Sequence, residues 1–186
     1  MRGTLFTFSG YIRKGKQRVN PQIGIIVKLY SLHRQQKLPI SLNEAWAFFS
    51  NPKNLAVITP PWLNLKPVSV VPDQMSPGMI VTYRVRPFLG VGVNWVTEIT
   101  HVEEPYRFVD EQRFGPYKFW HHQHMFREIN GGVLTEDLVH YALPLAPLSN
   151  LAHALVVKNQ LKRIFDHREL VLKNRFGDFA APPAIE

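Results

Sequence analysis

Three histidines, His121, His122 and His124, stand among aromatic residues in the stretch KFWHHQHMF, residues 118–126, of a chain with no cysteine. Imidazole is the side chain whose ordinary pKa lies nearest neutral pH, so such a cluster can bind a metal, transfer a proton or serve as a paired core group. Strand alternation decides which of the three can act together. If 118–129 is a strand, Trp120, His122, His124 and Phe126 share one face and His121 turns to the other. The next apolar stretch, 133–145, puts Val133, Thr135, Asp137, Val139 and Tyr141 on one face, and the preceding one does so for Phe108, Asp110 and Gln112. Earlier still, Val93, Trp95, Thr97 and Ile99 oppose Asn94, Val96 and Glu98, and Val81, Tyr83 and Val85 oppose Thr82, Arg84 and Arg86.

One face therefore gathers Tyr83, Trp95, Phe108, Trp120, Phe126 and Tyr141, and the other gathers most of the charge. With the aromatic face come Thr97, Asp110, Gln112, His122, His124 and Asp137, and this whole set forms the candidate ligand-binding surface. Buried acids are rare unless paired, and two carboxylates beside two imidazoles satisfy one another. Nearby negative charge should raise the histidine pKa values. A His-X-His pair with Asp nearby could chelate a divalent ion, but a hydrogen-bonded core network accounts for the same residues, and no metal or cofactor is expected. His121 and His140 are expected on the outer face. The same Asp and His could act as acid and base in a cyclisation or dehydration, although no nucleophile motif or phosphate loop supports a more definite reaction.

The elements that must carry these residues follow from punctuation and period. A first strand is expected over 23–36. Ser41 and Glu44 form a capping box opening a short helix with Ala45, Trp46 and Phe49 inward, and Pro52 opens a second with Leu55 and Ile58 inward, ending at Pro60-Pro61. Strands separated by turn signals are expected over 63–71, 79–88, 93–104, 107–114, 118–129 and 133–145, with Asn130-Gly131-Gly132 as a hairpin. From 148 to 176 the apolar spacing changes to three, four and seven, the mark of one long amphipathic helix that Gly177 stops. That helix must cover the concave face of the sheet, because nothing else in the chain can. The fold class is α+β.

Composition bounds the rest. A chain of 186 residues fits a single domain over 23–177, with short tails at 1–22 and 178–186. The formal charge of +8 is carried by eight basic residues before position 38; the first acid is Glu44, and beyond Lys37 the two signs balance. The domain is thus neutral, no nucleic-acid partner is implied, and 1–22 reads as a basic, flexible tail, with a transit peptide or an upstream start as alternatives. No apolar run is long enough to span a bilayer, and no secretory signal is visible. The absence of cysteine fits a cytoplasmic location, and homo-oligomerisation stays open.

The order of elements, with the words LPISLNEAWAFFSNPKNLAVITPPWL, FVDEQRFGPYKFWHHQHMF, GGVLTEDLVHYALPL and NQLKRIFDHR, resembles the START-like (SRPBCC) superfamily, and locally a bacterial branch of unassigned function. The superfamily includes the major birch pollen allergen and polyketide cyclases. The resemblance spans residues 25–176 and implies the helix-grip fold, a curved antiparallel sheet wrapped around a long C-terminal helix. It implies a small hydrophobic molecule, lipid, polyketide-like or aromatic, held between sheet and helix. The alternatives are a cyclase or dehydrase using the inner His/Asp cluster, and an interaction protein whose cavity is collapsed.

Overall fold

The computed structural model describes residues 28–88, 90–144 and 156–180. Its main elements are β1 (Tyr30–Leu38), α1 (Leu42–Phe49), β2 (Lys66–Pro67), β3 (Ile80–Phe88), β4 (Val91–Glu103), β5 (Arg107–Phe114), β6 (Phe119–Ile129), β7 (Gly132–Ala142) and α2 (Lys158–Phe176). The seven strands form one sheet in the order β1-β7-β6-β5-β4-β3-β2, and every pairing is antiparallel.

Local chemistry accounts for most boundaries. The Ser41 hydroxyl accepts from the Glu44 amide at 3.2 Å, and the Glu44 carboxylate accepts from the Ser41 amide at 2.9 Å, so the capping box opens α1 as expected. Gly131 takes a positive φ of 85° in the β6–β7 turn, a conformation that costs glycine little. At Gly132 a Cβ would run into the Leu38 carbonyl, so this strand end also needs glycine. The Gly177 amide closes α2 by donating to the Lys173 carbonyl at 2.8 Å.

Three elements differ from the sequence reading. The second short helix is a 3-10 turn, Pro52–Ala56, opened by the Asn51 side chain accepting from the Lys53 amide at 3.0 Å, and another follows at Pro61–Leu63; short connectors commonly take this tighter form. Only Lys66 and Pro67 of the expected 63–71 strand pair with β3; beyond them the Val68 amide still donates to the Thr82 carbonyl at 2.9 Å, but the Ser69 hydroxyl, in place of a backbone carbonyl, accepts from the Thr82 amide at 3.0 Å. The first strand starts at Tyr30 and reaches Leu38. The expected tail 1–22, the strand's first residues 23–27, the helix's first residues 148–155 and most of the C-terminal tail (181–186) lie outside the described residues.

The concave face packs in three groups. Under α1, Trp46, Phe48, Phe108, Phe126, Val133 and Leu172 are buried together. Phe48 takes the deeper inward place in α1, with Phe49 half-buried beside it. Under the first half of α2 lie Trp120, Val139, Tyr141, Leu161 and Phe165, and at the far edge Val81, Tyr83 and Val85. Burying side chains of this size is worth roughly 1.5–3 kcal/mol each. Toward β1, α2 is held by the Arg34–Asp166 ion pair at 2.6 Å and by the Gln36 amide donating to the Glu169 carbonyl at 3.0 Å.

Candidate functional site

Cross-strand register brings the polar residues together. Asp110 pairs with His122 across β5 and β6, and His124 pairs with Asp137 across β6 and β7. His122 Nε2 lies 2.8 Å from Asp137 Oδ1, and its Nδ1 lies 3.5 Å from Asp110 Oδ2. His124 Nε2 lies 2.8 Å from Asp110 Oδ2 and its Nδ1 3.1 Å from Asp137 Oδ1. Phe108 stacks on His124 with centroids 4.0 Å apart, and the two imidazoles lie 3.7 Å apart. Both histidines are buried.

A fifth member comes from the helix. Arg168 is buried and donates from Nη1 to Asp137 Oδ1 at 2.9 Å, with its guanidinium 4.8 Å over the Phe165 ring. Sequence reasoning missed it, yet a signal was present. Leu161, Phe165, Arg168 and Leu172 fall at intervals of four, three and four, so Arg168 occupies a place in the apolar stripe. A cation there calls for buried acids opposite.

Geometry assigns the protons. A carboxylate oxygen only accepts, so each ring nitrogen within hydrogen-bond reach of one must carry hydrogen. Each ring makes one hydrogen bond, from Nε2; the second nitrogen of His124 stands 3.1 Å from Asp137 and that of His122 3.5 Å from Asp110, so the closer contact favours the imidazolium at His124 and the neutral ring at His122. Two carboxylates, one guanidinium and one imidazolium then sum to zero charge. The pKa directions agree. Burial and the neighbouring His124 charge lower that of His122. Burial opposes charge on His124, but its hydrogen bonds to Asp110 and Asp137 outweigh that and raise its pKa. Burial likewise opposes ionisation of the two acids. The Arg168 charge and the histidine hydrogen bonds nevertheless hold Asp137 well below the carboxylate range, and His122 and His124 lower Asp110.

These directions define a pH profile. The depressed acids contribute stability above about pH 4 that is lost as pH falls through their folded values. Neutral, buried His122 adds stability above about pH 6.5 that is likewise lost on acidification. His124, raised, contributes below about pH 6.5 and loses that contribution as pH rises through its folded pKa. Melting temperature should therefore peak near neutral pH and fall on both sides, and His124→Gln should flatten the alkaline limb. An alkaline limb of unchanged slope in that variant would contradict the proton assignment.

Asp110, His122 and His124 could each offer a metal one ligand atom, all within 4.8 Å of one another. Both His124 nitrogens and His122 Nε2 already face carboxylates, and the Arg168 cation on Asp137 opposes a dication nearby, so the donor set fits a proton network better than a metal centre.

A pocket of about 170 Å³ lies between β3–β6, α2 and the turns after α1. Of the residues expected to contact a ligand, Tyr83, Trp95, Thr97, Phe108, Asp110, Trp120, His122 and His124 line it. Four share the inner face but stand away from the pocket. Gln112 braces the β5–β6 turn, donating to the Tyr117 carbonyl at 2.7 Å. Phe126 packs under α1 against Trp46, Tyr141 sits in the group under α2, and Asp137 stands behind the histidines and joins them to Arg168. Lining residues beyond the expected set include Phe48, Leu55, Met79, Tyr117, Phe165 and Arg168. Burial first, then the Asp110 charge, pushes the Tyr83 pKa up to about 12, so its phenol stays neutral.

The outer face separates cleanly from this network. His121 is half-buried and pairs with Glu111 at 3.0 Å, and His140 lies opposite it on β7. His122→Ala should cost about 1–3 kcal/mol in urea unfolding by stripping Asp137 of a donor, whereas His121→Ala should stay within about 0.5 kcal/mol. Equal effects would contradict the separation of faces.

No family model and no curated protein matches the sequence. Solved structures do match. The protein Ms6760 from Mycobacterium smegmatis is 22% identical, with 81% of this chain and 98% of that one covered at a TM-score of 0.54. Ara h 8.0201 is 16% identical, covering 79% and 99% at 0.53. A Thalictrum norcoclaurine synthase, a point mutant in complex with a transition-state analogue, is 13% identical, covering 81% and 99% at 0.58. The fold is the helix-grip fold, as expected from the sequence. No described helix is long and apolar enough to cross a membrane.

Proposed function

We propose that this chain binds a small, largely apolar ligand in the pocket between sheet and α2, with the His/Asp/Arg network at the polar end. The observation that carries this reading is the composition of the wall. Aromatic and aliphatic side chains from β3–β6, α1 and α2 surround about 170 Å³; the charged and imidazole groups of the lining are Asp110, His122, His124 and Arg168, and Asn51, Asn54, Thr59 and Thr97 are neutral polar members elsewhere in the wall. A dry space of roughly 150 Å³ lined by apolar side chains takes up benzene, so this one suits a single ring or a short branched chain. An environment-sensitive single-ring probe, 4-(dimethylamino)benzonitrile, should bind in the micromolar range, an affinity in keeping with the cost of association. Trp95 and Trp120, both in the wall, should change fluorescence as it binds. Native mass spectrometry should also find a copurifying small molecule. If the probe does not bind and no small molecule copurifies, the reading is overturned.

The cyclase or dehydrase alternative draws on one specific observation. The neutral imidazole of His122, with Asp110 beside it, faces the pocket and could exchange a proton with a bound carbonyl compound. Mass spectrometry separates the two readings, because a carrier returns its ligand unchanged.

A further inference from the structure

The network uses only one side of the Asp110 carboxylate. Its Oδ2 takes both histidine contacts, His124 Nε2 at 2.8 Å and His122 Nδ1 at 3.5 Å. Among the described residues nothing hydrogen-bonds the other oxygen, Oδ1. Nor is that oxygen sealed in. The closed side-chain atoms without a partner are Trp120 Nε1 and Arg168 Nε, so Oδ1 is open to a small molecule. The Asp110 side chain keeps 19% of its surface free, and β4 and β6 flank its strand on either side, so that opening faces the pocket it lines. An ionised carboxylate only accepts, and it has room for about four hydrogen bonds. His122 lines the same pocket and carries its hydrogen on Nε2, which leaves Nδ1 an acceptor as well. This corner of the wall calls for a donor.

Resting on the pocket-binding reading, we infer that the ligand is an uncharged hydroxyl compound of single-ring size, whose O–H donates to Asp110 Oδ1. A hydrogen bond to a carboxylate is shorter and stronger than one between neutral groups, so a single donor here fixes the ligand's orientation. A hydrocarbon leaves Oδ1 unpaired. A ketone or aldehyde sets acceptor against acceptor at this oxygen, and an anion adds repulsion to that mismatch. An ammonium group could donate, but the charges of the network already cancel, so it would leave one uncancelled positive charge in a buried site.

Four one-ring probes test this: p-cresol, p-xylene, p-tolualdehyde and 4-methylbenzylamine, which is cationic near neutral pH. A plain apolar hole would favour p-xylene, which gains more on leaving water. The expected result is that p-cresol binds at least as tightly as p-xylene, and the aldehyde and the amine more weakly than p-cresol. The C1 carbon of ¹³C-labelled p-cresol should move downfield on binding, as it does when a phenol donates to a carboxylate. Asp110→Asn keeps an oxygen for His124 but turns an NH₂ group to the pocket. It should shrink that carbon shift and move the affinity ratio about three- to tenfold toward p-xylene. The ratio and the carbon shift in the parent protein decide the question even where the variant does not fold. If p-xylene binds the parent more tightly than p-cresol, if the aldehyde or the amine binds best, or if the C1 carbon stays in place, the hydroxyl assignment is overturned while pocket binding stands. If none of the four binds, both readings fall.

Discussion

Arg168→Met should lower the free energy of unfolding by about 3–5 kcal/mol near pH 8, the usual cost of removing one partner from a buried ion pair. The charge contributes more than the packing, since methionine retains most of the stem that lies over Phe165. Without the guanidinium, Asp137 keeps only its two imidazole contacts, and the network carries a net negative charge in a buried site. One compensation is available. His122 can take up the missing proton, so its folded pKa should rise in the variant, and stability gained this way is present below about pH 6.5 and fades as pH rises. The deficit in urea unfolding should therefore shrink on moving from pH 8 to pH 6. Adding Asp137→Asn to Arg168→Met should cost far less than the two changes made separately, because they remove opposite charges from one pair. A loss below about 1 kcal/mol at pH 8, independent of pH, would show that the ion pair does not anchor α2.

The second large effect concerns space. Thr97 lines the pocket from β4, opposite Val81 of β3, and its hydroxyl reaches the Glu111 carbonyl at 3.3 Å. Thr97→Trp puts an indole into about 170 Å³, more than the roughly 150 Å³ that receives benzene. Binding of the single-ring probe should fall at least about a hundredfold, since the indole occupies the ligand's place. Stability should change by less than about 1 kcal/mol, because the indole enters open space and gives up one long hydrogen bond. In a filled core the same substitution would overpack and cost roughly 1–3 kcal/mol. Destabilisation of that size, together with no probe binding to the parent, would mean that the pocket is closed in solution.

Much of this was legible in the sequence because β5, β6 and β7 alternate strictly and are joined by short turns. Asp110, His122, His124 and Asp137 could thus be placed on one face as neighbours, and the structure brings their side chains within 2.8–3.5 Å. Alternation reports the face of a residue but not its position along that face. Phe126 and Tyr141 share the inner side with Trp120 and His122, yet they sit under helices rather than beside the open space. Gln112 illustrates a second limit. Near a strand end, the backbone of the following turn claimed its amide. Arg168 escaped notice for a different reason. An amphipathic helix is recognised by its apolar members, and a cation within the stripe reads as noise unless the buried acids opposite are counted. The 3-10 turns at 52–56 and 61–63 were missed because a proline at the first position opens a 3-10 turn as readily as an α-helix.

The position of β1 has a consequence for how the chain reaches this state. Among the described residues its only sheet partner is β7, in a register that joins Tyr30 to Tyr141 and Leu38 to Val133, and the helix pinned against it by Arg34–Asp166 comes later still. In a chain emerging residue by residue from a ribosome, β1 would wait for its partner while about a hundred residues were made, with both backbone edges unpaired. Contacts this distant in sequence slow folding, because loop closure must come before any pairing can compensate for it. The strand's own composition suits that wait. Its outward positions carry Ser31, His33, Gln35 and Lys37, and Arg34 and Gln36 fall between them, so the nascent segment is soluble and a poor template for edge-to-edge aggregation. The hairpin of β6 and β7, turned on Gly131, has only local contacts to make and can form as soon as it is synthesised. The His122–Asp137 pair would then exist before Arg168 arrives to close the network.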